Sequence, residues 1–250
     1  MIRIENRGSV QELVLDRAQQ RNALSVEMIE SLVAALAAAD AAPGCRCIVI
    51  KSSSEHFCAG RELASGHARD LAAVLAYDDA YAAIFERLRT LTKPSVAVVR
   101  GYAVAGGFTL AMACDFVLAD ESAKFGALEI KQGFPASINT ALLSHLIGAR
   151  RALELLLLGD TVTARELHAM GLVNRIAHDT AELAATEAAL TAQLAALDPV
   201  AVRLTKETHR AASNMPLADA LTMGKQLNAL LLASGRIDEA GKAFARRRKK

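Results

Sequence analysis

Tryptophan is absent from this chain and aromatic residues make up only 4% of it. That leaves too few ring faces for a nucleic-acid platform built on base stacking. Cysteine is scarce, with Cys45, Cys47, Cys58 and Cys114 the four. No second Cys or His pair at zinc spacing accompanies Cys45 and Cys47, so buried reduced thiols are expected, and no metal site. The six histidines are scattered without an H-E-x-x-H arrangement, and His56 reads as a surface residue. Neither G-x-G-x-x-G nor a P-loop pattern occurs, and G-x-S-x-G with a Ser/His/Asp set is missing too. No apolar run reaches membrane-spanning length, and Met1 leads into an amphipathic pattern instead of a basic and then apolar leader. The expectation is a cytoplasmic protein without membrane attachment.

Charge of one sign is also lacking overall, since the net charge is only +2. Arg246, Arg247, Arg248, Lys249 and Lys250 supply more than that, so the rest of the chain is net negative. The tail reads as a solvated terminus. It could meet the phosphates of a coenzyme or of a nucleic acid, but no wider basic surface supports nucleic acid as a partner.

What the chain does have is 52% hydrophobic residues in 250, enough for one large core. Ile2–Ile4 and Leu13–Leu15 read as short strands around a turn at Asn6, Arg7 and Gly8. Ser25 fits an N-cap, followed by a helix that ends near Pro43 and Gly44. Cys47–Ile50, Ser95–Val99 and Phe116–Ala119 are compact apolar runs of buried-strand type. Leu71–Leu91 reads as helix, and another helix is expected from about Gly107. Thr163 to Glu166 fits a capping box with Gly171 as the C-terminal glycine. Val173–Ile176 is a further candidate strand. Asp179 caps a long helix, Asp198-Pro199 opens the next, and the pattern stays helical to the end. One α/β domain with a helical C-terminal extension accounts for this order.

Two glycine turns are candidates for chemistry: Phe57-Cys58-Ala59-Gly60-Arg61, and Gly101 to Gly107 between a strand and a helix. Small residues allow close approach to the backbone, and a helix start offers unpaired N–H groups. Two such groups converging on one oxygen would stabilise an enolate or a tetrahedral oxyanion. Helix–sheet packing would use the same glycines.

Several blocks together resemble the crotonase (enoyl-CoA hydratase/isomerase) superfamily. They are Asn22-Ala23-Leu24, Phe57 to Leu63, Lys93 to Gly101, Ala105-Gly106-Gly107 with Leu110 to Asp115, Phe125 to Glu129, and Ala169 to Val173. They run in family order from about residue 10 to 176. The resemblance implies an α/β fold, a crotonase-like spiral of repeated ββα units over residues 1–195, with a helical C-terminal trimerisation region over 196–250. It implies acyl-CoA thioester substrates, a homotrimer or hexamer, and no separate cofactor, coenzyme A being part of the substrate. By motif position, the family's oxyanion-hole donors fall on the backbone N–H groups of Arg61 and Gly106. Phe134 and Pro135, following Gly133, would line the acyl pocket, though apolar packing accounts for them equally well. Glu62 would stabilise its loop and Asp115 would orient backbone.

The resemblance has one departure. Where the family's hydratases carry two glutamates, this chain has Thr109 and Glu129. Hydration needs one group to activate water and one to manage the α-proton, and Thr109 is no base near neutral pH. Shifting a 3-enoyl double bond to the 2 position needs one base, which Glu129 could be. An enoyl-CoA isomerase is therefore the favoured expectation. The alternatives are a hydratase in which Thr109 holds the water, and a non-catalytic acyl-CoA or nucleic-acid binding protein.

Overall fold

The computed structural model describes residues 1–62 and 71–237. Leu63 of the first glycine motif and the basic residues Arg246 to Lys250 lie outside them. Strands β1 (Ile2–Arg7) and β2 (Val10–Leu15) form an antiparallel hairpin. Asn6 and Arg7, expected in the turn, instead pair with Gln11 and Val10. Gly8 at φ 62° closes the turn so tightly that the ladder runs on to Arg7. The Ser25 side chain caps α1 (Val26–Ala41) by accepting from the Met28 N–H, and the helix stops just before Pro43. Strand β3 (Cys47–Ser52), helix α2 (Leu71–Thr90) and strand β4 (Ser95–Val99) follow.

Next, the chain alternates between two sheets. Strand β4 is followed by β5 (Tyr102–Val104) and α3 (Gly106–Met112). Strand β6 (Phe116–Asp120) is followed by β7 (Lys124–Gly126), a 3₁₀ segment (Leu128–Gln132) and α4 (Ser137–Leu146). Then come α5 (Ala149–Leu158), β8 (Val162–Thr163), α6 (Ala164–Ala169), β9 (Arg175–Ala177) and α7 (Thr180–Ala195). The larger sheet has the order β1-β2-β3-β4-β6-β9 and is parallel from β2 onward; the smaller is β5-β7-β8. The two units β4-β5-α3 and β6-β7-α4 thus each give one strand to each sheet and then a helix.

The period of two along β3 and β4 decides which face each residue serves. Ile48, Ile50, Ala97 and Val99 join α1, α2 and α3 in the main core. Cys47, Val49, Val96 and Val98 pack with Leu183, Leu190 and Leu194 of α7 on the other face. Both faces are covered, hence the nearly unbroken apolar runs. Arg7, Glu12, Lys51 and Glu187 form an ion-pair cluster linking the hairpin, β3 and α7, with both carboxylates buried.

Strand β9 begins two residues later than the sequence suggested. Asn174 takes the entry position, its side chain accepting from the Val117 N–H and its own N–H bonding the Val117 carbonyl. The Thr163–Glu166 capping box and the Asp179 cap are both formed.

The compact unit described above covers Met1 to Pro199, and a second one begins at Val200. Helices α8 (Pro199–Ala212) and α9 (Leu217–Ala233) make up nearly all of the described remainder. The expected unbroken helical pattern is interrupted before Leu217, because Pro216 lacks an N–H and begins a new helix instead of continuing the old one. Leu217, Leu221, Leu230 and Leu232 of α9 are exposed. No helix among the described residues is long and apolar enough to cross a membrane.

Candidate active site

The two glycine turns come together. Cys58 bridges to Ala103 and Arg61 to Leu24, so the first turn is held between the start of α1 and strand β5. The Leu24 N–H donates to the Gly60 carbonyl at 2.8 Å and the Glu62 N–H to the Leu24 carbonyl at 3.0 Å. Between these two bonds the Arg61 N–H has no acceptor among the described residues, nor has that of Gly106 at the start of α3. A methyl group on Gly106 would sit 3.1 Å from the Arg61 nitrogen, and one on Gly60 would sit 3.0 Å from the Gly106 nitrogen. The two free donors are therefore neighbours across a gap that glycine keeps open. A Cβ on Gly107 would strike the Cys58 carbonyl, which explains a second glycine there. Ala105 turns the chain from β5 into α3 at φ 50°, ψ −124°, a conformation unfavourable for a residue with a side chain.

Glu129 lies in the first turn of the 3₁₀ segment after β7. Its pKa is raised above the ordinary glutamate value, foremost because burial desolvates the carboxylate; its own backbone N–H and the Asn139 amide oppose the rise. The Asn139 Nδ2 donates to Glu129 Oε1 at 3.1 Å. Glu129 Oε2 is buried with no hydrogen-bond partner among the described residues. Such an atom is costly unless something else meets it.

Thr109, fully buried on α3, does not touch Glu129 through a direct hydrogen bond among the described residues. It donates to Asn139 Oδ1 at 2.9 Å, with the Ala105 carbonyl as a longer alternative at 3.3 Å. Asn139, from α4, connects the two candidate positions. It was not singled out in the sequence, and neither was Tyr81 of α2, whose hydroxyl lies against Gly106 where a Cβ would strike it. Burial pushes the Tyr81 phenol well above its usual range; the nearby Cys58 adds to this, while a hydrogen bond with Thr109 and the charge of Arg61 oppose it. The sequence signal for both residues is their register. Asn139 shares the buried stripe of α4 with Leu143, and Tyr81 that of α2 with Ile84, Phe85 and Leu88.

The Arg61 side chain turns to α2, pairing with Asp78 and lying over the Tyr77 and Tyr81 rings at 4.8 and 5.1 Å. Phe134 and Pro135 are exposed in this chain, and the Phe134 N–H donates to the Glu129 carbonyl at 3.3 Å. Glu62 pairs with Arg17 through both oxygens, at 3.1 and 3.2 Å. Asp115 accepts from the Ser95 N–H and hydroxyl at 2.8 and 2.9 Å. His56 is half-buried and its Nδ1 faces the Tyr102 N–H at 3.4 Å. The four cysteines are buried free thiols, and no metal-ligating cluster exists among the described residues. A groove of about 600 Å³ adjoins the 3₁₀ segment through Leu128, Lys131 and Gln132, but Glu129 does not line it.

Two sheets filled alternately by ββα units, with a helical C-terminal region, define the crotonase fold. The enoyl-CoA hydratase/isomerase family model matches residues 5–250, and the chain belongs to that family of enzymes. A Thermus thermophilus protein carrying an enoyl-CoA hydratase name is 39% identical, the match covering 99% of this chain and 98% of that one. The 2,3-dehydroadipyl-CoA hydratase of Escherichia coli is 33% identical over 94% of this chain and 92% of its own. The crystal structure of an enoyl-CoA hydratase from Polaromonas sp. JS666 superposes with a TM-score of 0.90 at 30% identity, covering 98% of this chain and 97% of that one.

Proposed function

We propose that this enzyme moves the double bond of an enoyl-CoA from the 3 to the 2 position, with Glu129 as the base and the Arg61 and Gly106 amides as the oxyanion hole. The observation that carries the reading is a single carboxylate, desolvated and with one oxygen unpartnered, across from a Thr109 whose hydroxyl is already engaged by Asn139. The Glu129 carboxylate takes a proton from C2, and the electron pair spreads through the thioester carbonyl and the double bond as a dienolate. The two N–H groups hold the enolate oxygen, and the same carboxyl returns the proton at C4. Each oxyanion donor is worth about 10²–10³ in rate in comparable sites. The substrate brings its coenzyme A, so the reaction uses no further cofactor. The exposed leucines of α9 support self-association, and a trimer or hexamer is the assembly proposed.

A second reading, hydration of a 2-enoyl-CoA, is favoured by the names of the relatives, which are hydratases. In that reading Glu129 works on a water without a second carboxylate opposite. Turnover of 3-enoyl-CoA and 2-enoyl-CoA is measured side by side with the purified protein. Conversion of the 3-enoyl substrate into the conjugated 2-enoyl thioester is expected. A 3-hydroxyacyl product from 2-enoyl-CoA with no turnover of the 3-enoyl substrate refutes the isomerase reading.

A further inference from the structure

We infer that Asn139 is a positioning residue that sets the base and the oxyanion donor together, holding Glu129 Oε1 so that Oε2 is the oxygen that carries the proton. The inference rests on the reading of Glu129 as the base.

The orientation of the amide follows from its neighbours. The Ala105 carbonyl and the Glu129 carboxylate can only accept, and both lie 3.1 Å from the same end of Asn139. The hydroxyl of Thr109 has one proton to give, and it lies 2.9 Å from the other end. Only with Nδ2 toward Ala105 and Glu129, and Oδ1 toward Thr109, are all three satisfied. Both Nδ2 protons are thereby used, and the buried side chain is held from α3 and the 3₁₀ segment at once.

The contact with Ala105 reaches further. The Ala105 carbonyl and the Gly106 N–H belong to one planar trans peptide, so fixing the carbonyl fixes the direction of the N–H. Donation to the carbonyl also polarises that N–H. Ala105 sits at φ 50°, where the backbone needs such support. One amide group thus ties the proposed oxyanion donor to the proposed base. Thr109, where a hydratase would carry its other glutamate, acts as the latch that stops the amide from rotating.

Among the described residues Glu129 is faced by few other ionisable groups. Helix α5, which also packs on the 3₁₀ segment, carries Arg150 and the paired Arg151 and Glu154. From α2 comes the Tyr81 phenol, whose pKa is itself raised by burial. On its own segment, Lys131 is paired with Asp160. Helices α3 and α4 bring the uncharged Thr109 and Asn139. Losing the Asn139 donor removes a hydrogen bond to the charged form, so Glu129 would titrate at higher pH.

The test measures kcat, the pH of its acidic limb and the carbon-13 NMR titration of the Glu129 carboxyl, in wild type and in Asn139→Leu. The expected result is a kcat lower by about 10- to 100-fold, with the limb and the NMR titration both moved to higher pH. A folded variant whose limb and titration stay at the wild-type pH overturns the proposal, even if kcat falls, because that is what a merely structural residue gives. Should Asn139→Leu fail to fold, Thr109→Val and Thr109→Ser decide. Movement in the valine variant, reversed when serine restores the hydroxyl, supports the latch; two unmoved titrations refute it. Unchanged turnover in Glu129→Gln refutes the base reading itself, and the NMR titration separates that failure from failure of the positioning role.

Discussion

Replacing Gly106 by alanine is the sharpest probe of the paired amides. The added Cβ would sit 3.1 Å from the Arg61 nitrogen, close to the ~2.9 Å at which an acceptor oxygen sits from an amide nitrogen. A methyl carbon would therefore occupy the place of the thioester oxygen. It would also press on the Tyr81 hydroxyl, the far end of a side chain that can shift. Overpacking of this kind costs about 1–3 kcal/mol, offset in part by the roughly 1 kcal/mol that alanine gains over glycine in a helix. The protein should thus stay folded while kcat falls at least 10²- to 10³-fold, the loss expected from one oxyanion donor. Formation of the conjugated thioester, followed by absorbance, reads the rate, and thermal melting reads the fold. Gly148→Ala is the control, since nothing lies within 4 Å of a Cβ there; it should change neither. A folded Gly106→Ala enzyme within twofold of wild-type kcat would show that the two amides do not hold the substrate oxygen.

Glu129→Gln should lower kcat by roughly 10²–10⁴-fold, the usual cost of losing a general base, as measured under saturating 3-enoyl-CoA. Because the folded pKa of Glu129 is raised by burial, the wild type is most stable with this group protonated. That stability is lost as pH rises through the folded pKa. The melting temperature of Glu129→Gln relative to wild type should accordingly climb from acid toward neutral pH; a flat difference would contradict the desolvated carboxylate. Lys51→Met should destabilise the chain by about 3–5 kcal/mol in urea titrations, because it leaves Glu12 and Glu187 buried with only Arg7 between them. A loss below 1 kcal/mol would mean that Arg7 alone neutralises both.

The parts of the fold that could be read from the sequence are those whose signal is local. Strands β3, β4 and β6 are nearly continuous apolar runs because both faces are covered. The caps at Ser25, Thr163 and Asp179 are set by residues three positions apart. Strands β5, β7 and β8, at three, three and two residues, are too short to carry a period, and their pairing partners are distant in sequence. The site divides in the same way. Gly106, Arg61 and Glu129, the residues of the proposed site, are picked out by motif order. For Asn139 the only local signal is its register with Leu143 on α4, and its partners become apparent only when the fold closes α4 over α3 and the 3₁₀ segment. Phe134 and Pro135 are read from their place after Gly133, and their side chains lie at the surface of the chain.

The strained turn at Ala105 has an implication for how such a chain can vary. A Cβ on Gly60 would come within 2.9 Å of the Ala105 Cβ, so these two positions, in different loops, share room for a single methyl group. Alanine at 105 restricts rotation of the peptide that ends in the Gly106 N–H, which glycine there would leave freer to flip. Position 60 is closed on more than one side, because its φ of 103° disfavours any side chain and a Cβ there would also stand 3.0 Å from the Gly106 nitrogen. Giving up the methyl at 105 would relieve only one of these contacts, so glycine at 60 belongs to the same gap that keeps the two amides apart.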